Sequence, residues 1–239
     1  MMRALHIVHQ SNSPAARFVP ALAAAGFTID DVVPDDDPLP DSLEGYDAVV
    51  ACGGTHNTHE TDRFPWIPAE VALMAEAIER GVPTVGLCLG AQMLTEAAGG
   101  KVYRAPVYEV GWYPVEMTPA AASDPILSGF PSSFHAVEWH YYACEAPAHA
   151  VELARNDSCL QAFRVGDAAW GTQFHIEVDR TILETWQREA SGELEQAGYP
   201  HDRYRNELER YLPAHMALGD EMARRFAALA AARARSGAG

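Results

Sequence analysis

The chain has 239 residues, 48% of them hydrophobic, enough apolar material for a large α/β domain and far from the composition of a disordered chain. With 33 acidic against 17 basic side chains the net charge is -16, which repels phosphate backbones and anionic lipid and argues against nucleic-acid or membrane-surface partners. The cysteines Cys52, Cys88, Cys144 and Cys159 are widely spaced without a C-x-x-C pair, so they read as reduced thiols in a cytoplasm rather than as a disulfide framework or a zinc knuckle. No apolar run reaches the ~18 residues of a membrane span, and the stretch Met1 to Gln10 lacks a signal-peptide pattern.

Leu5-His6-Ile7-Val8 predicts a first strand, and Ser11-Asn12-Ser13-Pro14 opens a helix over Ala15 to Ala25 that stops at Gly26. Phe27-Thr28-Ile29 and Val32-Val33 give a second strand, followed by a solvated acidic loop from Pro34 to Pro40. Asp47 to Cys52 is a third strand, apolar as in a parallel sheet buried on both faces, and it ends in Gly53-Gly54. A helix over Pro68 to Arg80, a strand over Pro83 to Leu87 and a helix over Leu89 to Ala98 complete an alternating half. Short strands are then expected at Val102-Tyr103, Trp112 to Val115, Phe134 to Val137, Leu160 to Arg164 and Ala169 to Phe174, forming a small antiparallel layer. After Val178 the chain reads as helical, with breaks at Gly198-Tyr199-Pro200 and Leu212-Pro213 and a frayed end at Ser236 to Gly239. The fold class is therefore α/β, with an open, mainly parallel sheet flanked by helices, a small antiparallel layer and a C-terminal helical extension.

Gly86-Leu87-Cys88-Leu89-Gly90 places a cysteine between glycines where a buried strand passes into a helix, the form of a nucleophile elbow. In that turn the helix N-terminus favours a thiolate, and the Leu89 amide points where a carbonyl oxygen would become an oxyanion. A small buried hydrophobe between packing glycines is the alternative reading of this string alone. A thiolate that attacks an amide needs a base able to protonate the leaving nitrogen, and a third group to orient that base. His175 and Glu177 supply such a pair, two apart and on one face if their segment is extended. The Gly53-Gly54 turn can present further backbone amides to the same oxyanion.

Val85-Gly86-Leu87-Cys88-Leu89-Gly90-Ala91-Gln92-Met93-Leu94 resembles the G-[IVL]-C-x-G-x-Q-x-L signature of class I, triad-type glutamine amidotransferases. Trp170-Gly171-Thr172-Gln173-Phe174-His175-Ile176-Glu177-Val178 resembles their W-G-x-Q-F-H-P-E-V, in the family's order. Asp62 to Trp66, Glu109 to Trp112 and Gln161 to Arg164 look most like stand-alone proteins akin to the glutaminase domain of GMP synthase. The resemblance implies a flavodoxin-like amidotransferase domain over 1–180 with a helical extension over 181–239 packed on it. It also implies a Cys-His-Glu triad that releases ammonia from the glutamine side chain without cofactor or metal: Cys88 the nucleophile, His175 the acid/base, Glu177 its orienter. The same resemblance implies that Gly53 and Gly54 form the oxyanion turn, with Gly54 and Leu89 the donors, and that Gln92 helps hold the substrate's amino-acid end.

Three positions depart from the family's pattern. Thr55 follows Gly53-Gly54 where a proline is usual, Ile176 replaces the proline of H-P-E, and Tyr142 stands where relatives often carry an aspartate in W-H-x-D. Three readings follow: a glutamine amidotransferase that passes ammonia to a separate synthase subunit, a γ-glutamyl hydrolase of a small conjugate, and a silent binding protein of the same fold. No G-x-x-x-x-G-K-[ST] string is present, and the tail is too short for a synthetase domain. Cys52, His56, His59 and Glu60 fit no common zinc spacing and read as a polar loop, the aromatics Trp112, Trp139 and Tyr141 as core or rim packing, and Asp30-Asp31 and Asp35 to Asp37 as solvated charge. The tail's Leu208, Tyr211, Leu212, Met222, Phe226 and Leu229 form an apolar stripe that either packs on its own domain, docks a second subunit or covers the active-site mouth.

Overall fold

The computed structural model describes residues 1–237; the end of the predicted frayed tail, Ala238 and Gly239, lies outside the described residues. Nine strands form one mixed sheet in the order β2-β1-β3-β4-β9-β8-β6-β5-β7. β1 (Met2–Ile7), β2 (Phe27–Val32), β3 (Ala48–Ala51), β4 (Thr84–Leu87) and β9 (Ala169–Thr172) pair in parallel. The helices α1 (Phe18–Ala24), α2 (Trp66–Arg80) and α3 (Leu89–Ala97) connect them.

Alternation along each buried strand sends neighbouring side chains to opposite faces. Val49 and Ala51 meet Leu73 and Met74 of α2 and Ala91 and Leu94 of α3, whereas Ala48 and Val50 share the other core with Phe18 and Leu22 of α1. That second face is completed from the far end of the chain by Met222 and Phe226, both fully buried.

The predicted antiparallel layer is instead a continuation of the same sheet, because β9 pairs in parallel with β4 on one side and antiparallel with β8 (Leu160–Val165) on the other. β5 (Lys101–Met117), β6 (Ser133–Glu145), β7 (Val151–Arg155) and β8 then close on themselves, since β7 pairs with both β5 and β8. The short strands expected at Val102-Tyr103 and Trp112 to Val115 are one 17-residue strand whose register shifts between Arg104 and Glu109. Pro106 sits in that shift, where its missing N–H removes no ladder bond.

The tail forms α4 (Arg180–Glu189), α5 (Ser191–Gln196) and α6 (His201–Ser236). The expected break at Gly198-Tyr199-Pro200 separates α5 from α6, but Pro213 lies inside α6 and does not end it. An interior proline costs a helix about 3 kcal/mol. Burial of Leu208 and Leu212 before it, and of Met222 and Phe226 after it, outweighs that loss. The tail's apolar stripe is thus spent on the chain's own core. Phe226 meets Phe18 at a centroid distance of 5.9 Å. Phe226→Ala is expected to cost about 3–5 kcal/mol in urea unfolding; a change below about 1 kcal/mol would show that α6 does not complete the core.

Candidate active site

β4 delivers Cys88 to the carboxyl edge of the sheet, and Leu89 begins α3 directly after it. Cys88 has φ 50° and ψ -101°, and among the described residues it alone combines positive φ with a side chain. Such a conformation is strained for an L-residue and persists where the surroundings over-determine it. Here the Cys88 amide donates to Thr172 O at 2.7 Å and the Gly90 amide donates to Cys52 O at 3.1 Å. The flanking glycines are sterically required: a Cβ on Gly86 would lie 2.4 Å from Gly90 O, and one on Gly90 2.4 Å from Ala51 O. Leu89 buries its side chain with Ile67 and Met93, while its amide, at the first helical position, has no acceptor within the helix.

His175 and Glu177 follow β9 in an irregular segment rather than on the predicted strand, which ends at Thr172. They meet nonetheless, His175 Nδ1–H donating to Glu177 Oε1 at 2.7 Å. Burial opposes a charge on His175, but the Glu177 carboxylate and the neighbouring Cys88 outweigh it and hold its pKa well above the ordinary value. Gly53 packs against the pair, a Cβ there falling 2.8 Å from His175 Cε1 and 3.5 Å from Cys88 Cβ. Gly54 stands over His9, whose Nε2 pairs with the fully buried Glu70 at 2.7 Å and whose Nδ1–H donates to Cys52 O at 2.9 Å.

Backbone contacts fix this segment from both sides. The His175 amide donates to Val137 O at 2.9 Å, and the His175 carbonyl accepts from His215 Nε2 of α6 at 2.8 Å. Burial pushes His215 down to about 4, so it serves as a neutral donor. One turn later Gly219 lets α6 approach, because a Cβ there would lie 2.2 Å from Ile176 O. Neither residue carries a sequence signal: the contact joins positions 40 apart in the chain.

The sulfur faces a cavity of about 550 Å³ lined by Gly54, Gln92 and His175 among others, so four of the predicted residues converge there. Gln173 Nε2 donates to Cys88 Sγ at 3.5 Å. Gln92 Nε2 reaches Tyr142 O at 3.2 Å and Gln173 Oε1 at 3.5 Å. Tyr142 also lines the cavity. Trp139 and Tyr141 belong to the cavity wall rather than to core packing, whereas Trp112 is buried. The wall is completed by Trp186, Glu189 and Glu193 of α4 and α5, which local pattern could not place there. Cys52, His56, His59 and Glu60 do not gather: Cys52 Sγ lies 3.2 Å from His6 Nε2, and His56 pairs with Asp35 at 3.2 Å.

Beneath the cavity His140 Nε2 lies 3.2 Å from both Glu109 and Glu138, while its Nδ1–H donates to Tyr142 O at 2.9 Å. Glu109, His140 and Cys159 offer donor atoms within 4.8 Å of one another, a spacing that a metal ion also accepts. The thiol of Cys159 is pushed up by burial and by Glu109, and His140, although burial opposes its charge, is raised to about 10 by the two carboxylates, so protons occupy the thiol and the imidazole. Burial also raises Glu138 to about 7. Both folded-state values exceed the unfolded ones, so the folded state binds more protons and stability falls as pH rises, through Glu138 from 4.5 to about 7 and through His140 from 6.5 to about 10. The urea midpoint should drop over that window, and His140→Gln should flatten the decline; an equally steep decline in His140→Gln would contradict the assignment.

The family described as glutamine amidotransferase class-I matches residues 16–185. The glutamine amidotransferase-like protein YfeJ of Salmonella typhimurium is 28% identical over 82% of this chain and 84% of its own length. A gamma-glutamyl-L-1-hydroxyisopropylamide hydrolase of Pseudomonas is 27% identical over 65% of this chain and 55% of its own. The GMP synthase of Aeropyrum pernix is 31% identical over 63% of this chain, a match that spans 29% of that enzyme. A crystal structure of a glutamine amidotransferase from Thermotoga maritima superposes with a TM-score of 0.83 at 27% identity, covering 95% of this chain and 98% of that one. The chain belongs to the class I glutamine amidotransferase family.

Proposed function

We propose that the chain hydrolyses the γ-amide of glutamine, or of a γ-glutamyl conjugate, through a γ-glutamyl thioester on Cys88. The observation that carries this reading is the strained Cys88 turn, which shares its cavity with His175, itself held 2.7 Å from Glu177. Cys88 attacks the amide carbonyl as a thiolate, and the oxyanion that forms takes hydrogen bonds from the Leu89 amide and the Gly53-Gly54 turn. His175, kept cationic by Glu177, gives its proton to the departing nitrogen and then takes one from the water that splits the thioester. Gln173 orients the sulfur through its 3.5 Å contact, and Gln92, with Tyr142, borders the glutamyl end. Neither a cofactor nor a metal enters these steps. The domain occupies residues 1–180, and the extension over 181–239 supports and covers its site.

Hydrolysis of a substituted amide is supported by the Pseudomonas hydrolase among the relatives. Delivery of ammonia to a separate synthase subunit is the alternative, favoured by the GMP synthases. The two separate when amine release from glutamine and from γ-glutamyl amides is measured with and without cell extract. Among the described residues no helix is long and apolar enough to cross a membrane. All four cysteines are free, in keeping with a cytoplasmic setting.

Cys88→Ala and His175→Ala are expected to abolish amide hydrolysis without unfolding the protein, and Glu177→Gln to retain partial activity. A wild-type rate in Cys88→Ala would remove the nucleophile assignment. His215→Ala is expected to lower kcat about tenfold with little change in KM, because it loosens the carbonyl of the acid/base residue rather than a substrate contact. An unchanged kcat in a folded His215→Ala protein would leave His215 a packing residue only.

A further inference from the structure

Resting on the γ-glutamyl reading above, the geometry points to the substrate's amine part: a γ-glutamyl conjugate of a diamine, whose second nitrogen is protonated. His175 must reach the leaving nitrogen, so a substituent on that nitrogen runs beside His175. The next ring on that path is Trp186, edge-on to His175 with centroids 4.8 Å apart, and Trp139 meets Trp186 at 5.6 Å. Trp139 Nε1 donates to Glu193 Oε2, and Tyr108 OH donates to the same oxygen at 2.8 Å, so Oε1 takes neither donor. Both partners are neutral, and among the described residues neither lysine nor arginine lines the cavity.

Glu193 therefore brings a carboxylate held by neutral donors to an aromatic-walled cavity whose cationic side chains, among the described residues, are the protonated imidazoles of His140 and His175. Glu189 stands on the same wall. An organic ammonium suits such a wall, through charge attraction to the carboxylate and cation–π contact with indole rings. Glutamine, with only hydrogens on its amide nitrogen, leaves this wall unused, and about 550 Å³ falls in the range of cavities that enclose larger ligands. The step balances without any further reactant than water. Cys88 Sγ bonds to the γ-carbonyl carbon, and the C–N bond breaks with its electron pair going to nitrogen. The diamine leaves with the proton from His175, and water splits the thioester to glutamate and the restored thiol.

The test compares γ-glutamyl-diaminobutane with γ-glutamyl-n-pentylamide, which has a methyl group in place of the terminal ammonium. Wild-type kcat/KM is expected to favour the diamine conjugate by about tenfold or more. Glu193→Gln is expected to bring the ratio close to unity. In Cys88→Ala, calorimetric Kd values for the two intact conjugates should show the same preference, which keeps the test independent of turnover. Equal or reversed preference in both kinetics and binding would overturn the diamine assignment while leaving γ-glutamyl hydrolysis standing. Failure of the wild type to turn over either conjugate or glutamine, with no binding to Cys88→Ala, would overturn the γ-glutamyl reading and the diamine with it.

Discussion

The parallel pairing of β4 with β9 is the constraint on which the site depends. It is continued past the strand ends by the 2.7 Å bond from the Cys88 amide to Thr172 O, which ties the turn carrying the cysteine to the strand leading into His175. Two residues far apart in sequence are thereby set at one sheet edge without a flexible loop between them. The left-handed backbone at Cys88 is tolerable because the neighbouring strands fix it and because Gly86 and Gly90 leave room for α3 to press onto β3. Preorganisation of this kind places the ordering cost in folding rather than in each catalytic cycle.

The C-terminal helices complete what the sheet begins. α6 fills the core beside α1 and, through His215 and Gly219, grips the backbone of His175 and Ile176. α4 and α5 supply Trp186 and Glu193 to the cavity wall. A loss of packing around Phe226 is therefore felt at His175, although no atom of Phe226 reaches the cavity. Stability and chemistry share the same helix.

Much of this was legible in the residues. β-branched runs closed by glycine marked the parallel strands and their helices, and G-x-C-x-G marked the elbow because only small flanking residues permit that approach of strand and helix. The His175 and Glu177 pairing was legible as a spacing of two, although an irregular segment rather than a strand carries it. What escaped was non-local. Pro213 reads as a helix stop, and only burial on both sides of it keeps α6 whole. The union of Trp139, Trp186 and Glu193 joins three elements whose local patterns say nothing of one another, and His215 resembles any other core histidine until its carbonyl partner is known.

The central claim is covalent chemistry at Cys88, and the most direct measurement is mass spectrometry of the protein acid-quenched during turnover of glutamine or a γ-glutamyl amide. The account predicts a γ-glutamyl adduct on the peptide containing Cys88 that disappears when substrate is exhausted. Burial keeps the other thiols protonated, Cys144 being pushed up to about 12, so no adduct is expected on them. Turnover with no adduct at Cys88, or with the adduct on another cysteine, would contradict it.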